Sequence, residues 1–343
     1  MKLLRSLVLS LALAAFASAE DQWITYEGKS GPGKGKRVVL LAGDEEYRSE
    51  EALPMLAKIL SQRHGFTATV LFAINKETGE IDPNTPDNLP GAEALDKADL
   101  VITSLRYRHW PDEQMKHFAD YVKAGKPIIG LRTSTHAFNG IKGEFAPFNA
   151  FGKKVYGEGW VSHWGRHKSE ATHGVIESGA KDDVLLRGVG DLFGDTDVYE
   201  AYPPADAKVL VRGVVLQGMK PGDAPADYKK KRATDKQEQG VNDPAMPVVW
   251  MRVNENDFGK GNKVLCNTMG SATDLQNEGL RRLLVNAAYS FTGLDVPAKA
   301  DVEYVDPYQP LFYGFNGFRK GLKVSDQALG KALPELPLAS QKK

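Results

Sequence analysis

Cysteine is nearly absent, Cys266 being the only one in 343 residues. That excludes an intramolecular disulfide framework and any metal cluster built on several thiolates. Excess charge is absent too, with 44 Lys and Arg against 44 Asp and Glu. A balanced surface argues against a protein made to neutralise nucleic-acid phosphates or to lie on anionic lipid. No G-x-S-x-G elbow occurs, so an ordinary serine hydrolase is not expected. The glycine- and lysine-rich run Gly31 to Lys36 precedes the first apolar strand, where a phosphate loop would follow one. It reads as a flexible lead-in, and no nucleotide cofactor is expected. What remains, 42% apolar and 26% charged side chains, is the profile of a globular protein with a full core.

Residues 1–19 read as a secretory signal peptide. Lys2 and Arg5 open it, Leu7 to Phe16 is apolar, and Ala17-Ser18-Ala19 offers a small-residue cleavage site. About ten apolar residues are too few for a membrane span, which takes about 20, and no later stretch is long enough. The expected mature protein is exported, periplasmic or secreted, and without a membrane span.

From Arg37 to Leu131 strand and helix alternate. Val38 to Gly43 is a continuous apolar run, as in a strand buried on both faces. Leu53, Leu56, Ile59 and Leu60 carry helical spacing over Ser49 to Arg63, with Gly65 as the stop. Strands follow at Phe66 to Phe72, Asp99 to Thr103 and Pro127 to Leu131, with a helix between Pro111 and Gly125. This alternation predicts an α/β fold, a mostly parallel sheet flanked by helices on both faces. Val209 to Gln217, Pro247 to Val253 and Lys263 to Thr268 read as further strands, and Glu278 to Phe291 as a closing helix. Arg281-Arg282 on that helix reads as a solvated or ion-paired face. Pro221 to Pro244, polar and poor in apolar residues, reads as an exposed insertion or flexible loop. Residues 298–343 read as an extended C-terminal extension anchored by Tyr304, Tyr308, Phe312, Tyr313, Phe315 and Phe318.

Histidine is where the chemistry gathers. Four of the seven, His136, His163, His167 and His173, fall within 38 residues, where an even spread would place fewer than one. His163 and His167 are four apart and share a face in helix or strand. Imidazoles near carboxylates suit either a divalent metal such as zinc or a general acid/base pair. Two acidic groups could meet them: Asp44, Glu45 and Glu46, at the carboxyl edge of the first buried strand, and Asp195, Asp197 and Glu200. Arg132 to His136 follows the fourth strand at the same edge. Trp110, Trp160 and Trp164 could stack on sugar rings or simply fill a core.

The blocks GDEEYRSEEALPMLAKIL at 43–60, GLRTSTHAF at 130–138, WVSHWGRH at 160–167, DTDVYE at 195–200, PVVWMR at 247–252 and NTMGSATDL at 267–275 resemble the trehalose-utilisation, or ThuA-like, family. The resemblance runs from about residue 36 to 297 and points to the exported subgroup. It implies the class I glutamine amidotransferase-like fold, which is flavodoxin-like. It departs from the amidotransferases because Arg132 stands where their Cys nucleophile would be, which removes thioester chemistry. Within the ThuA-like family, many members carry His where this chain has Arg132 and Ser271. The resemblance implies action on a disaccharide, glycoside or keto-sugar derivative. The expected catalytic set is His163, His167, His136, Arg132, Asp197 and Glu46. A metal, if used, would sit on His163, His167 and His136. Tyr47, Arg48, Arg106 and Thr135, with Trp160, Trp164, Tyr199 and Glu200, are the expected substrate contacts. The competing reading is a non-catalytic carbohydrate-binding or accessory protein that stacks sugars on Trp160 and Trp164. A structural role in a homo-oligomer held by the aromatic tail is the third.

Overall fold

The computed structural model describes residues 22–256 and 258–340; the expected signal peptide lies outside them. In chain order the elements are β1 (Trp23–Tyr26), β2 (Arg37–Gly43), α1 (Ser49–His64), β3 (Thr67–Phe72), β4 (Leu100–Leu105), α2 (Asp112–Lys123) and β5 (Ile128–Leu131). Short strands follow: β6 (Ser162–His163), β7 (Thr172–Ile176), β8 (Leu192–Gly194) and β9 (Tyr199–Glu200). Then come β10 (Lys208–Val215), β11 (Lys229–Lys231), β12 (Glu238–Gly240), β13 (Met246–Asn256), β14 (Gly259–Asn267) and α3 (Glu278–Phe291).

Ten strands form one sheet in the order β1-β3-β2-β4-β5-β14-β13-β10-β7-β8. Its parallel part, β3-β2-β4-β5-β14, has the flavodoxin-like order, with β2 at the point where the winding reverses. All pairings from β14 outward through β13, β10, β7 and β8 are antiparallel, as is β1 against β3. The expectation of a mostly parallel sheet is therefore met in the first half only. The second half has no helical crossovers between its strands, and without a crossover neighbouring strands run antiparallel.

β2 and β4 are buried on both faces because helices cover each side. Leu53 and Leu56 of α1 and Leu280, Leu283 and Leu284 of α3 join one core cluster. Met115, Phe118 and Val122 of α2 join the other, with Phe138, Phe148 and Phe151. α1 ends at Gly65, whose φ of 83° closes the helix in the left-handed region that glycine enters freely.

α1 is buried nearly all round because the C-terminal tail lies over what would be its solvent face. Pro54 has no N–H to give the carbonyl of Glu50, and Gln327 Nε2 of the tail bonds that carbonyl at 2.9 Å instead. Lys58 pairs with Asp306 at 2.7 Å, and Arg319 pairs with Glu51. Arg281 and Arg282, expected on a solvated face, are buried. They donate to the carbonyls of Val302 and Ala300 and so fasten the tail to α3. The insertion expected at 221–244 holds the ordered hairpin β11–β12, whose Lys230 reaches back to the carbonyls of His163 and Trp164 at 2.6 and 2.9 Å.

Candidate functional site

Four parallel strands end side by side, and the segments leaving β2, β4, β5 and β14 build one rim. Asp44, first after β2, is fully buried. One oxygen accepts the N–H groups of Glu46 and Tyr47 at 2.7 and 2.9 Å, and the other accepts the Thr133 hydroxyl after β5. Asp44 thus ties two loops together. Glu45 pairs with Arg106 and Arg108 after β4. Only Glu46 turns to the histidines, with Oε1 3.1 Å from His167 Nε2.

Arg132 takes the sharp turn after β5 with φ 43°, a left-handed conformation costly for a residue with a Cβ. Its guanidinium is buried and lies 3.7 Å from the Tyr199 ring centre and 4.7 Å from that of Tyr47. It donates to the carbonyls of Asp197 and Thr268, to the Tyr47 hydroxyl and, at 2.9 Å, to Asp197 Oδ1. Both terminal nitrogens of the guanidinium are thus committed to partners within the protein, the geometry of a group that orients Asp197.

Asp197 is the hub. Its Oδ2 accepts His163 Nδ1 at 2.8 Å, and its Oδ1 accepts His167 Nδ1 at 3.0 Å. Burial alone would raise this carboxyl, but the charge of Arg132 and the two imidazole bonds outweigh it and hold it well below the usual carboxylate range. The imidazoles stand 4.6 Å apart, centre to centre. His167 faces a carboxylate at each nitrogen. Burial works against its charge, yet the bonds to Asp197 and Glu46 raise its pKa to about 9. His163, with its side chain 35% exposed, has no hydrogen-bond partner on Nε2 among the described residues.

His136 is packed against the Trp160 ring at 5.5 Å and the Tyr199 ring at 6.4 Å, and His163 touches the same two rings. Burial first, then the charges of Arg106 and Arg132, keep His136 neutral, well below its ordinary pKa. Ring contacts thus link the three histidines, His136 to His163 through Trp160 and Tyr199, and His163 to His167 directly. His163, His167 and Asp197 offer ligand atoms all within 4.8 Å of one another, a set that could hold a metal ion; His136 is not part of it. Two imidazoles and a carboxylate match the donors zinc prefers.

The expected substrate contacts divide sharply. Trp160 is 39% exposed and Arg106 is partly open over Tyr107 and Phe315. Trp164 is fully buried, its indole N–H bonded to the Val241 carbonyl at 2.8 Å, and is core. Arg48 is spent on the carbonyls of Gly314 and Asn316, and Glu200 on Ser162, Tyr202 and the β11–β12 turn at Ala233. Tyr47, Thr135 and Tyr199 are buried walls. Asp195 binds the Thr273 hydroxyl at 2.7 Å, away from the imidazoles.

Sequence reasoning missed Tyr107, whose φ of 50° has no sequence signature, and Lys230, hidden in a polar run. It also missed Tyr313, which stacks on Tyr47 at 5.1 Å and lies 5.6 Å from His167. The aromatic-rich YGFNGF segment was the available signal, read only as an anchor.

No protein-family model matches the chain, and no curated protein matches it significantly. Among solved structures it is similar to a ThuA-like protein from Parabacteroides merdae, at 14% identity and TM-score 0.49 over 77% of this chain and 92% of that one. It is also similar to a ThuA-like protein from Bacteroides uniformis, at 15% identity and TM-score 0.46 over 80% and 96%.

Proposed function

We propose that the chain is an exported carbohydrate-processing enzyme of the ThuA-like type, acting on a disaccharide, glycoside or keto-sugar by acid/base chemistry. The observation that carries this reading is Asp197 anchoring two imidazoles of which only one, the partly exposed His163, keeps a ring nitrogen without a hydrogen-bond partner among the described residues. A buried carboxylate on Nδ1–H fixes the tautomer whose Nε2 accepts a proton, and it stabilises the imidazolium that forms. On a keto-sugar, the C–H beside the ketone gives its proton to His163 Nε2 while the electron pair moves to the carbonyl oxygen. His167, charged between Asp197 and Glu46 and 4.6 Å from His163 ring centre to ring centre, supplies a fixed positive charge beside that developing oxyanion. The aromatic walls Trp160 and Tyr107 suit the apolar face of a sugar ring.

A divalent ion such as zinc, when bound, would be held by His163, His167 and Asp197 and would supply Lewis acidity. Metal analysis of untagged protein separates that version from the metal-free one.

The test is a screen of oxidised and unoxidised disaccharides with product detection. The wild-type chain turns over at least one, and His163→Ala loses turnover by 100-fold or more, roughly the contribution of a general base, with its melting temperature nearly unchanged. Saturable binding without product in the wild type would replace catalysis with a binding role.

A further inference from the structure

We infer that the hairpin β11–β12 is a clamp on the segment that carries both imidazoles, and that Lys230 is the positioning residue for His163. The inference rests on the reading of His163 as the base and adds the group that aims it. The hairpin stands apart from the ten-stranded sheet as a two-stranded sheet of its own. Its ladder has three residue pairs, Lys229 with Gly240, Lys230 with Gln239 and Lys231 with Glu238. So short a ladder is marginal in water by itself, and its shape must come from what it touches.

What it touches is the stretch 162–170 and β9. Lys229 and Lys231 are exposed, whereas Lys230 between them is half-buried, as alternation along a strand requires. Its Nζ donates to the carbonyls of His163 and Trp164 at 2.6 and 2.9 Å and lies 5.6 Å from the centre of the Trp164 ring. At the base of the hairpin the Val241 carbonyl accepts the Trp164 indole N–H, and the Tyr228 hydroxyl donates to Glu170, both at 2.8 Å. Glu170 also accepts the N–H of Arg166 at 2.7 Å, which closes the turn that holds His167. At the tip, Glu200 of β9 accepts the N–H of Ala233 at 2.9 Å and the Ser162 hydroxyl at 2.8 Å.

These contacts matter because β6 is only Ser162 and His163, paired with Glu200 and Tyr199. Asp197 holds the ring of His163 at Nδ1, and Lys230 holds its main chain at the carbonyl. With both ends held, the direction of Nε2 is set. Hydrogen bonds from an ammonium are stronger than neutral ones, and a misplacement of about 1 Å can cost on the order of 100-fold in rate. Lys230 therefore acts through His163.

The test compares Lys230→Met, which keeps the apolar stem, with Lys230→Arg, which keeps the charge and the donors, and with Lys231→Met as the exposed control. Its first readout needs no turnover. Imidazole N–H protons bonded to a carboxylate resonate far downfield, and ring-labelled histidine with the His163→Ala spectrum assigns those of His163 and His167. Wild type and Lys231→Met show both. Lys230→Met loses the His163 signal and keeps that of His167, and Lys230→Arg restores it. Should Lys230→Met fail to fold by circular dichroism, Lys230→Gln, with a neutral donor, shows the same signal weakened. On a substrate that wild type turns over, Lys230→Met lowers kcat about tenfold or more and changes KM less than about twofold. An unchanged His163 signal in the folded variant overturns the inference. So does a raised KM at unchanged kcat, which would make Lys230 a substrate contact, or joint loss of both signals with a collapsed melting temperature, which would make it structural only. A His163 signal lost in Lys230→Met from a chain that makes no product would sink the catalytic reading and leave the clamp standing.

Discussion

Single buried charges carry most of the information in this molecule. Arg132 and His167 both bond Asp197, and Glu46 meets the other nitrogen of His167, so two cations face two carboxylates under the rim of the sheet. Glu50 has no such arrangement. It is buried in the first turn of α1, and neither carboxylate oxygen has a hydrogen-bond partner among the described residues. Burial, only partly offset by Arg48, pushes its pKa up to about 8. The unfolded chain would release that proton near the ordinary value of about 4.3. Between those values the folded state holds more protons than the unfolded one, so Glu50 costs stability progressively as pH rises through that window. Glu50→Gln removes the cost. Its melting temperature should match wild type near pH 4 and exceed it by several degrees at pH 8, on the order of a few kcal/mol. A constant gap across pH would show that charge is not the cause.

Secondary-structure elements were legible in proportion to how local their causes are. Strands β2, β3, β4 and β5 and helices α1, α2 and α3 follow from apolar runs, helical spacing and Pro/Gly punctuation, and the structure places each within a few residues of expectation, whereas β1 was not foreseen. What the sequence hid depends on distant partners. The lysine-rich β11 looks like a solvated loop until Lys230 is seen on the His163 carbonyl. Arg281 and Arg282 look like surface residues until the tail covers them. The tail is therefore part of the fold and of the site, through Tyr313 against His167 and through Gly314, whose N–H bonds the Glu46 carbonyl at 2.7 Å. A chain ended at residue 297 bares the outer faces of α1 and α3 and strands two buried arginines. It should lose several kcal/mol of stability, read as a large drop in urea midpoint. Adding residues 298–340 back by fusion restores it. A truncated chain of native stability would contradict this role.

At the scale of the whole molecule, chain folding brings His136, His163, His167, Asp197 and Glu46, spread over 152 positions of sequence, to one rim. The clustering of histidines pointed toward that rim, and the ends of β2, β4, β5 and β14 explain why it forms there. The difference between the imidazoles was not legible, because it is set by which carboxylate each nitrogen meets: His167 is closed at both, His163 at one. That asymmetry is the central claim, and solvent-deuterium wash-in at the carbon beside the ketone of an oxidised disaccharide tests it most directly. In D₂O the wild-type chain should place deuterium at that carbon, and folded His163→Ala should place none above the buffer rate. Equal wash-in by the two proteins would contradict the assignment of His163 as the base.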